Sequence, residues 1–321
     1  MTASARGETG GTPRARPEWM RRTERGSAAT VRLMTWISLR LGRRAGRSLL
    51  PLIVAYFLLA AASARRASRE YLRRALGREP GGRDLYRHLH HFASTIHDRI
   101  YLLNDRFDLF DVETHGGELI GDLLADGRGV LLMGAHLGSF EVLRSIARKE
   151  LGHDVAMVMY EENARKVSAA IAATNPAARP DIIALGRADS MLRVRERLEQ
   201  GAIVGVLADR TLGGDAITPV SFLGAPAAMP TGPFRMAAML RQPVIFMAGL
   251  YLGKNRYRIH FETLADFSAV TAKGRDAAVR EAVERFAALL ERHCRAAPCN
   301  WFNFYDFWQP PATGRARGMR R

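Results

Sequence analysis

The sequence predicts an α/β fold in which a mainly parallel central sheet is flanked by helices and preceded by a helical region. From about residue 109, short apolar runs alternate with helical stretches, a pattern typical of a parallel sheet covered by helices. Before that residue the pattern is helical and contains the most apolar segment of the chain. We therefore expect a disordered tail at 1–18, a helical membrane-associating region at 19–105, an α/β domain at 106–309 and a disordered basic tail at 310–321.

The apolar segment Leu49 to Ala62 carries no charge, and basic residues lie on both sides of it: Arg43, Arg44, Arg47, Arg65, Arg66 and Arg69. It is shorter than the roughly 20 residues that cross a bilayer. We expect a helix embedded in a membrane leaflet, with arginines that bind lipid phosphates. A buried hairpin helix and a single short span are the alternatives. We expect no secretory signal, because residues 1–18 lead into no apolar core with a cleavage site.

The rest of the helical region contains a cluster of histidines. Helices are predicted at Ala64–Leu76 and Arg83–Leu103, with a break at 77–82. The second helix carries His88, His90, His91 and His97. Because no carboxylate or cysteine completes a closed ligand set, we expect no metal there. We expect these histidines to line a helix face near the mouth of a site or near lipid headgroups.

The α/β domain is predicted element by element. The expected strands are Gly129–Gly134, Asp154–Met159, Asp181–Leu185, Ala202–Ala208, Pro243–Leu250 and Arg256–Phe261, the last pairing with the one before it. The expected helices are Phe140–Glu150, Asn163–Thr174, Ser190–Gln200, Gly232–Leu240 and Asp276–Arg295. Residues 222–233 hold three prolines and two glycines and are expected to form a preset loop in which Thr231 opens the next helix.

Composition limits the class of protein and its partners. The chain has 321 residues, of which 47% are hydrophobic, so it can bury a sizeable core. Its formal charge of +16 favours acidic partners: anionic lipid headgroups, an acidic carrier protein, phosphorylated substrates or nucleic acid. The two cysteines suggest neither a disulfide scaffold nor a metal site, so a reducing cytoplasmic environment is expected.

Residues 128–144 hold the best candidate for chemistry. Val130 to Met133 is predicted as a buried strand, so that His136 lies in the turn after it and Glu141 in the first turn of the following helix. A carboxylate there can hold one imidazole nitrogen and leave the other as a general base. The alternative is that His136 is a capping or surface residue and that Glu141 only complements the helix dipole.

Four motifs in this order resemble the bacterial late acyltransferases of lipid A biosynthesis, within the wider lysophospholipid acyltransferase group. They are Gly-Ala-His-Leu-Gly-Ser-Phe-Glu (134–141), Leu-Ala-Asp-Arg (207–210), Phe-Leu-Gly-Ala-Pro-Ala-Ala-Met-Pro-Thr-Gly-Pro (222–233) and Asn-Trp-Phe-Asn-Phe-Tyr-Asp-Phe-Trp (300–308). The first matches the His-x4-Asp/Glu motif of those enzymes through His136 and Glu141. The resemblance covers most of the chain, from about Trp19 to Trp308.

The resemblance implies a glycerolipid acyltransferase-like fold and an O-acyltransferase on the cytoplasmic face of the cell inner membrane. Its donor would be a thioester of acyl carrier protein or coenzyme A, and its acceptor a hydroxyl of a lipid A precursor or related glycolipid. His136 would act as the general base and Glu141 would fix its tautomer. No cofactor or metal is expected, and membrane phospholipid is an expected partner.

Further residues are expected to bind substrate. Asp209 and Arg210 follow a predicted strand, where parallel-sheet enzymes hold their sites, and Arg210 would bind the oxyanion or a phosphate while Asp209 orients it. An ordinary strand-end salt bridge is the alternative. Arg187 would contact a phosphate of the acceptor. The wall for the acyl chain would come from the loop residues Phe222, Leu223 and Met229, next to Thr231. Asn303 and Asp306 would make polar contacts near the site, while half of the aromatic residues around them pack in the core.

Other functions remain open at this point. The Leu-Ala-Asp-Arg motif and the aromatic ending look more like the divergent branch of the family, whose members include enzymes associated with aryl-polyene and aminolipid pathways. A nucleic-acid-binding protein would explain the charge, but no recognition motif accompanies it, so no nucleic-acid partner is expected. A non-catalytic membrane scaffold would explain the apolar helix but not the four motifs.

Overall fold

The computed structural model describes residues 28–150, 153, 155–160, 175, 181–185, 189–210 and 216–308. The helices are α1 (Ala28–Ala60), α2 (Ala62–Leu76), α3 (Gly82–Leu102), α4 (Glu118–Ala125), α5 (Phe140–Glu150), α6 (Ser190–Glu199), α7 (Gly232–Met239) and α8 (Arg275–Ala296). The strands are β1 (Asp111–His115), β2 (Val130–Gly138), β3 (Val155–Tyr160), β4 (Ile182–Leu185), β5 (Ile203–Leu207), β6 (Ile217–Phe222), β7 (Ala225–Pro230), β8 (Pro243–Gly253) and β9 (Arg256–Asp266).

Seven strands form the central sheet in the order β1-β9-β8-β2-β5-β3-β4. All neighbours in it are parallel except β8 and β9, which pair antiparallel. Successive residues of β2 face two different apolar clusters, with Leu131 and Met133 in one and Val130 and Leu132 in the other. Both faces of the sheet are therefore covered, as the βα alternation of the sequence predicted. The predicted fold class is confirmed.

The predicted loop at 222–233 is instead half of a two-stranded hairpin, β6–β7, which continues directly into α7. Its two-residue turn, Leu223-Gly224, has positive φ at both positions (51° and 77°), which suits the twist of a hairpin. The prolines are compatible with these strands. Each strand of a two-stranded hairpin has one open edge, where a proline nitrogen replaces no hydrogen bond of the sheet. The structure also adds β1 and α4, which sequence patterns did not predict.

The N-terminal helices pack on the sheet and share its core. Tyr71 and Leu72 of α2 and Leu85 of α3 are buried in the same cluster as β2. Helix α1 is kinked at Gly42, where φ is +85°. Among the described residues no single helix is long and apolar enough to cross a membrane; the bent pair Met34–Ala60 and Ala62–Leu76, at 97° to each other, reaches that length and composition together.

Two arginines expected to bind lipid phosphates instead bind a buried carboxylate. Arg43 Nε lies 2.8 Å from Asp98 Oδ1, and Arg47 Nη1 lies 3.4 Å from the same oxygen. The Tyr257 hydroxyl donates to Asp98 Oδ2 at 2.9 Å. A buried carboxylate requires such partners, and α3 brings Asp98 against α1. For Arg43 and Arg47 the expectation of a role in phosphate binding is therefore wrong.

Two of the four histidines of α3, His88 and His97, are placed differently from the expectation. His88 is fully buried, with its Nδ1 2.8 Å from the Ser68 hydroxyl and its Nε2 2.8 Å from the Trp301 carbonyl. His97 is buried against Ser38 of α1. These two rings pack helices together instead of lining a site mouth. Among the described residues, no three His, Cys, Asp or Glu side chains are placed to hold a metal ion.

Candidate active site

The candidate site lies where two neighbouring parallel strands end. Gly134 of β2 pairs with Leu207 of β5, and the Ala208 amide donates to the Gly134 carbonyl at 2.8 Å. His136 lies two residues after Gly134, and Asp209 lies two residues after Leu207. Carboxyl ends of parallel strands are where such sheets hold their ligands. The pairing of the two strands brings a histidine and a carboxylate side by side.

His136 and Asp209 are joined by two hydrogen bonds. The ring Nδ1 lies 2.8 Å from Asp209 Oδ1, and the backbone amide of His136 donates to Asp209 Oδ2 at 3.1 Å. The indole Nε1 of Trp301 also donates to Oδ2, at 2.9 Å. Asp209 is 1% exposed, whereas 32% of the His136 side chain is exposed. The carboxylate is therefore fixed inside the protein, and the ring reaches from it toward the surface.

The C-terminal segment 300–303 holds the end of β2 in place. The Phe302 amide donates to the His136 carbonyl at 2.8 Å, and Trp301 forms an antiparallel bridge with Leu137. Trp301 is itself fully buried. Both members of the His–Asp pair are thus bonded to the same short segment, His136 through its backbone and Asp209 through its side chain.

Gly138 of β2 and Gly249 of β8 allow β2 to bend after His136. Gly138 has φ of +73°, and a Cβ there would overlap with the carbonyl group of Gly249 in β8. That carbonyl accepts from the Ser139 amide at 2.8 Å, while the Gly138 amide donates to the Asn300 carbonyl at 2.8 Å. Only glycine combines this φ with so close an approach of two backbones. The pairing of β2 with β8 is therefore irregular between Gly134 and Gly138. This stretch contains His136, for which the sequence predicted a turn.

The environment keeps the imidazole of His136 neutral. Burial lowers its pKa below the ordinary value of 6.5 and the nearby charge of Arg210 lowers it further, against the opposite effect of Asp209. For the Asp209 carboxyl, burial acts to raise the pKa, and the interaction with His136 acts to lower it. With the added effects of Arg210 and Trp301, the pKa of Asp209 lies well below its usual range.

The hydrogen bonds assign the tautomer of His136. An ionised carboxylate accepts only, so Nδ1 carries the proton that is shared with Asp209. The lone pair of the neutral ring then lies on Nε2, the nitrogen opposite the buried carboxylate. A neutral, oriented imidazole with an accessible nitrogen can remove a proton from a hydroxyl, and Asp209 can stabilise the imidazolium that forms.

Glu141 was expected to orient His136, and the structure gives Nδ1 a different partner. The carboxylate of Glu141 lies 2.8 Å from Arg99 Nε of α3 and 3.5 Å from the Ser139 hydroxyl. β5 pairs with β2 and so places Asp209 next to His136, within 2.8 Å of its Nδ1. Asp209 was expected to orient Arg210, and the structure adds its contact with His136.

Arg210 lies beside the pair. Its Nη2 donates to the Phe302 carbonyl at 3.1 Å, and its guanidinium carbon is 5.6 Å from the centre of the Tyr305 ring. The positive charge is close enough to depress the pKa of both His136 and Asp209. Arg210 is therefore at the position expected of a group that binds a developing oxyanion or a phosphate.

The other predicted binding residues are placed as follows. Phe222 and Met229 are fully buried in the hairpin, and Phe222 packs on Trp301 with 5.3 Å between ring centres. Thr231 is buried and its hydroxyl donates to the Ala216 carbonyl at 3.0 Å. Phe222 thus packs behind the residue that binds Asp209, and the expected role of the three residues in substrate binding stays a prediction. Arg187 lies outside the described residues, as do the predicted helix at 163–174 and both predicted tails.

Sequence reasoning missed two residues of the site. Trp301 was expected only as one of the packing aromatics, although its indole nitrogen fixes Asp209. Arg99 was not considered at all, although it forms the ion pair with Glu141. The signal for Trp301 was available, because a buried tryptophan needs an acceptor for its N–H. No sequence signal pointed to Arg99.

The family model described as bacterial lipid A biosynthesis acyltransferase matches residues 97–309. This range covers the whole central sheet, the His–Asp pair and the closing aromatic segment. No curated protein sequence matches the chain.

Proposed function

The chain belongs to the bacterial lipid A biosynthesis acyltransferase family, and we propose that it transfers a fatty acyl chain from a thioester to a hydroxyl of a lipid A precursor or related glycolipid. Family membership makes it an acyltransferase with an acyl donor and a lipid acceptor. The proposal adds the thioester, the hydroxyl and the residues that carry out the reaction.

In the proposed reaction, Nε2 of neutral His136 takes the proton of the acceptor hydroxyl as its oxygen attacks the thioester carbonyl carbon. The new C–O bond forms, the C–S bond breaks, and the thiolate leaves and takes up the proton from the imidazolium. Asp209 holds the ring in the competent tautomer and stabilises the imidazolium. Arg210 offers positive charge to the oxyanion that develops on the carbonyl. No covalent acyl-enzyme is required.

A single observation carries the proposal: the 2.8 Å contact between His136 Nδ1 and the buried, ionised Asp209. A base needs a positioned nitrogen and a pKa not far below the working pH. The contact supplies the position, and the opposing effects of burial and Asp209 set the pKa. Glu141 is assigned to the wall of the site, where its ion pair ties α5 to Arg99 of α3.

We propose acyl carrier protein or acyl-coenzyme A as the donor and the cytoplasmic face of the inner membrane as the location. The net charge of +16 suits either donor, since the carrier protein is acidic and coenzyme A carries phosphates. An aryl-polyene or aminolipid acceptor is the alternative to a lipid A precursor.

Helix α1 supports the membrane location. On one side Leu50 and Val54 are buried against the protein, while on the other Leu52 and Leu59 are 71% and 83% exposed. A monomeric soluble surface rarely exposes large apolar side chains in such a row. The pattern fits a helix that lies in the interface between headgroups and acyl chains.

Lipid mass spectrometry of cells tests the reaction. Cells with the wild-type chain should contain a lipid that is heavier by one acyl chain than in cells with His136→Ala. His115→Ala, on the exposed edge strand β1, serves as the matched control and should retain the product. The mass of the product identifies both acceptor and chain length. Equal lipid profiles with wild type and His136→Ala, at equal protein abundance, would refute the proposal.

Sedimentation with vesicles of phosphatidylethanolamine and phosphatidylglycerol tests the location. Replacing the exposed Leu52 and Leu59 by glutamate should release the protein from the vesicles. Leu192→Glu changes an equally large exposed leucine on α6 and should leave binding unchanged. Unaltered binding of the Leu52→Glu, Leu59→Glu variant would refute an interfacial role for α1.

A further inference from the structure

Asn303 is a buried polar residue whose side chain has no hydrogen-bond partner among the residues that the structure describes. It is 2% exposed, and both its Oδ1 and its Nδ2 are fully enclosed. The assignment of oxygen and nitrogen within the amide does not affect this observation, because both atoms lack partners. Leaving such a group unsatisfied costs stability, so each case in a folded protein requires an explanation.

Asn300, three residues earlier, provides a direct comparison. It is equally buried at 2%, but its Oδ1 accepts from the Tyr251 amide at 2.8 Å and its Nδ2 donates to the Tyr251 carbonyl at 3.1 Å. One asparagine of the closing segment is thus fully used by the fold, and the other is not. The fold gains nothing from the amide of Asn303.

The position of Asn303 connects it to the candidate active site. The preceding residue, Phe302, donates its amide to the His136 carbonyl and accepts from Arg210 Nη2 at its own carbonyl. The Asn303 amide in turn donates to the Trp301 carbonyl at 2.9 Å, which curls the chain back toward the residue that fixes Asp209. Asn303 therefore directly follows the segment that holds the His–Asp pair.

We propose that Asn303 is a substrate-binding residue whose side-chain NH2 donates to the carbonyl oxygen of the thioester as that oxygen gains negative charge. This inference rests on the proposed function and deepens it. A primary amide offers two donors without a charge of its own, so it can stabilise an oxyanion without lowering the pKa of His136 further. Because the amide is enclosed in the free protein, the thioester reaches it only when substrate binding opens the closing segment around Asn303.

The proposal predicts that replacing Asn303 lowers the activity without lowering the thermal stability. Asn303→Leu keeps the size of the side chain and removes an unsatisfied polar group, so the Tm should equal or exceed that of the wild type. The kcat for acyl transfer should fall by roughly 10²-fold or more, as when one oxyanion donor is lost. The KM for donor and acceptor should change by less than about threefold, because the contact strengthens only in the transition state.

Asn300→Leu is the matched control for stability. It removes an amide that the fold uses, so its Tm should fall below that of the wild type. Asn303→Ala is the second variant at the site and introduces no added bulk. It should show the same loss of kcat as Asn303→Leu.

Two results would overturn the inference. A kcat within about threefold of wild type for Asn303→Leu or Asn303→Ala, while the wild-type enzyme is active, would remove Asn303 from the reaction and leave the proposed function intact. A wild-type enzyme that transfers no acyl chain from any thioester would overturn the proposed function, and this inference with it.

Discussion

Asp209 is the residue on which the geometry of the site depends. Its two carboxylate oxygens accept from the ring and backbone of His136 and from the indole of Trp301. Removing any one of these donors would leave a fully buried charge with fewer partners. The carboxylate therefore selects one orientation of the histidine, and this orientation leaves Nε2 for the substrate.

The pKa of His136 predicts how activity depends on pH. Because burial and Arg210 disfavour the imidazolium, the ring loses its proton below the ordinary value of 6.5. The kcat/KM should rise with pH through a midpoint below 6.5 and then stay level at neutral pH. Arg210→Gln should move this midpoint to higher pH, because it removes a charge that lowers the pKa. Initial rates between about pH 4.5 and 8 measure both. A midpoint above 6.5 in the wild type would contradict the assignment.

At this scale the sequence predicted His136 as the base, and the structure adds Asp209 as the partner of its Nδ1. His136 was recognisable from its motif and from its place after a buried strand. The partner was assigned to Glu141 because the two lie near each other in the chain, whereas the contact is made across strands. Asp209 was recognised as a strand-end residue, but which strands are neighbours is not visible in local patterns.

At the scale of elements, the irregular end of β2 depends on Gly138 and on Gly249 of β8. Gly138→Ala would combine a left-handed φ with a clash against the Gly249 carbonyl. We expect it to lower the free energy of unfolding by about 2 kcal/mol or more, and to reduce activity through displacement of His136. Urea unfolding measures the first effect and initial rates measure the second.

Gly121→Ala is the matched control for that substitution. Gly121 lies in α4, where an added Cβ would meet no atom within 4 Å. Alanine favours a helix over glycine, so this variant should gain up to about 1 kcal/mol in the free energy of unfolding. Equal stabilities for Gly138→Ala and the wild type would show that the end of β2 tolerates a side chain.

The apolar periodicity of the sequence predicted most helices and buried strands. It failed where contacts with residues distant in the sequence determine the structure. The bounds of α5, α7 and α8 agree with the prediction to within one residue. The hairpin β6–β7 was taken for a loop, since its prolines obscured the strand pattern. Arg43 and Arg47 were assigned to lipid because Asp98, their partner, lies on a helix distant in sequence.

At the scale of the whole molecule, a buried histidine ties the N-terminal helices to the site. His88 contacts Ser68 of α2 and the Trp301 carbonyl in the segment that holds the His–Asp pair. The two contacts fit a neutral ring that donates from Nε2 and accepts at Nδ1. Burial lowers its pKa to about 4. The neutral ring is thus part of the connection between α2, α3 and the candidate site.

This histidine predicts loss of stability in acid. The unfolded chain binds a proton at His88 below about pH 6.5 and the folded chain only near 4, so stability falls as pH decreases between these values. From pH 7 to 5 we expect His88 to contribute about 2 kcal/mol to this fall. Urea unfolding at the two pH values should show a smaller pH effect for His88→Gln than for the wild type. The control His115→Gln, on the exposed edge strand, should behave as the wild type; an equal pH effect in all three would contradict the prediction.

The sequence could predict the layered α/β architecture but not the order of the strands. Regular βα alternation determined that a parallel sheet lies between helices. The adjacency of β2 and β5, which creates the site, arises from tertiary packing. The paired residues are 73 positions apart in the sequence, such as Leu131 with Val204 and Leu132 with Gly205. The burial of α2 and α3 in the same core as the sheet likewise became visible only in the fold.

The most direct test of the account compares Asp209→Asn with Glu141→Gln in a single assay of acyl transfer from an acyl thioester. Both variants replace a carboxylate by an amide of the same shape, and circular dichroism and Tm confirm that each is folded. Asp209→Asn should lower kcat by about 10³-fold or more, because the amide neither holds the tautomer nor stabilises the imidazolium. The loss in Glu141→Gln should be at least about tenfold smaller, since it weakens the partly exposed ion pair with Arg99 and leaves the contact between His136 and Asp209 in place. A larger loss in Glu141→Gln than in Asp209→Asn would contradict the central claim that Asp209 is the partner of the catalytic histidine.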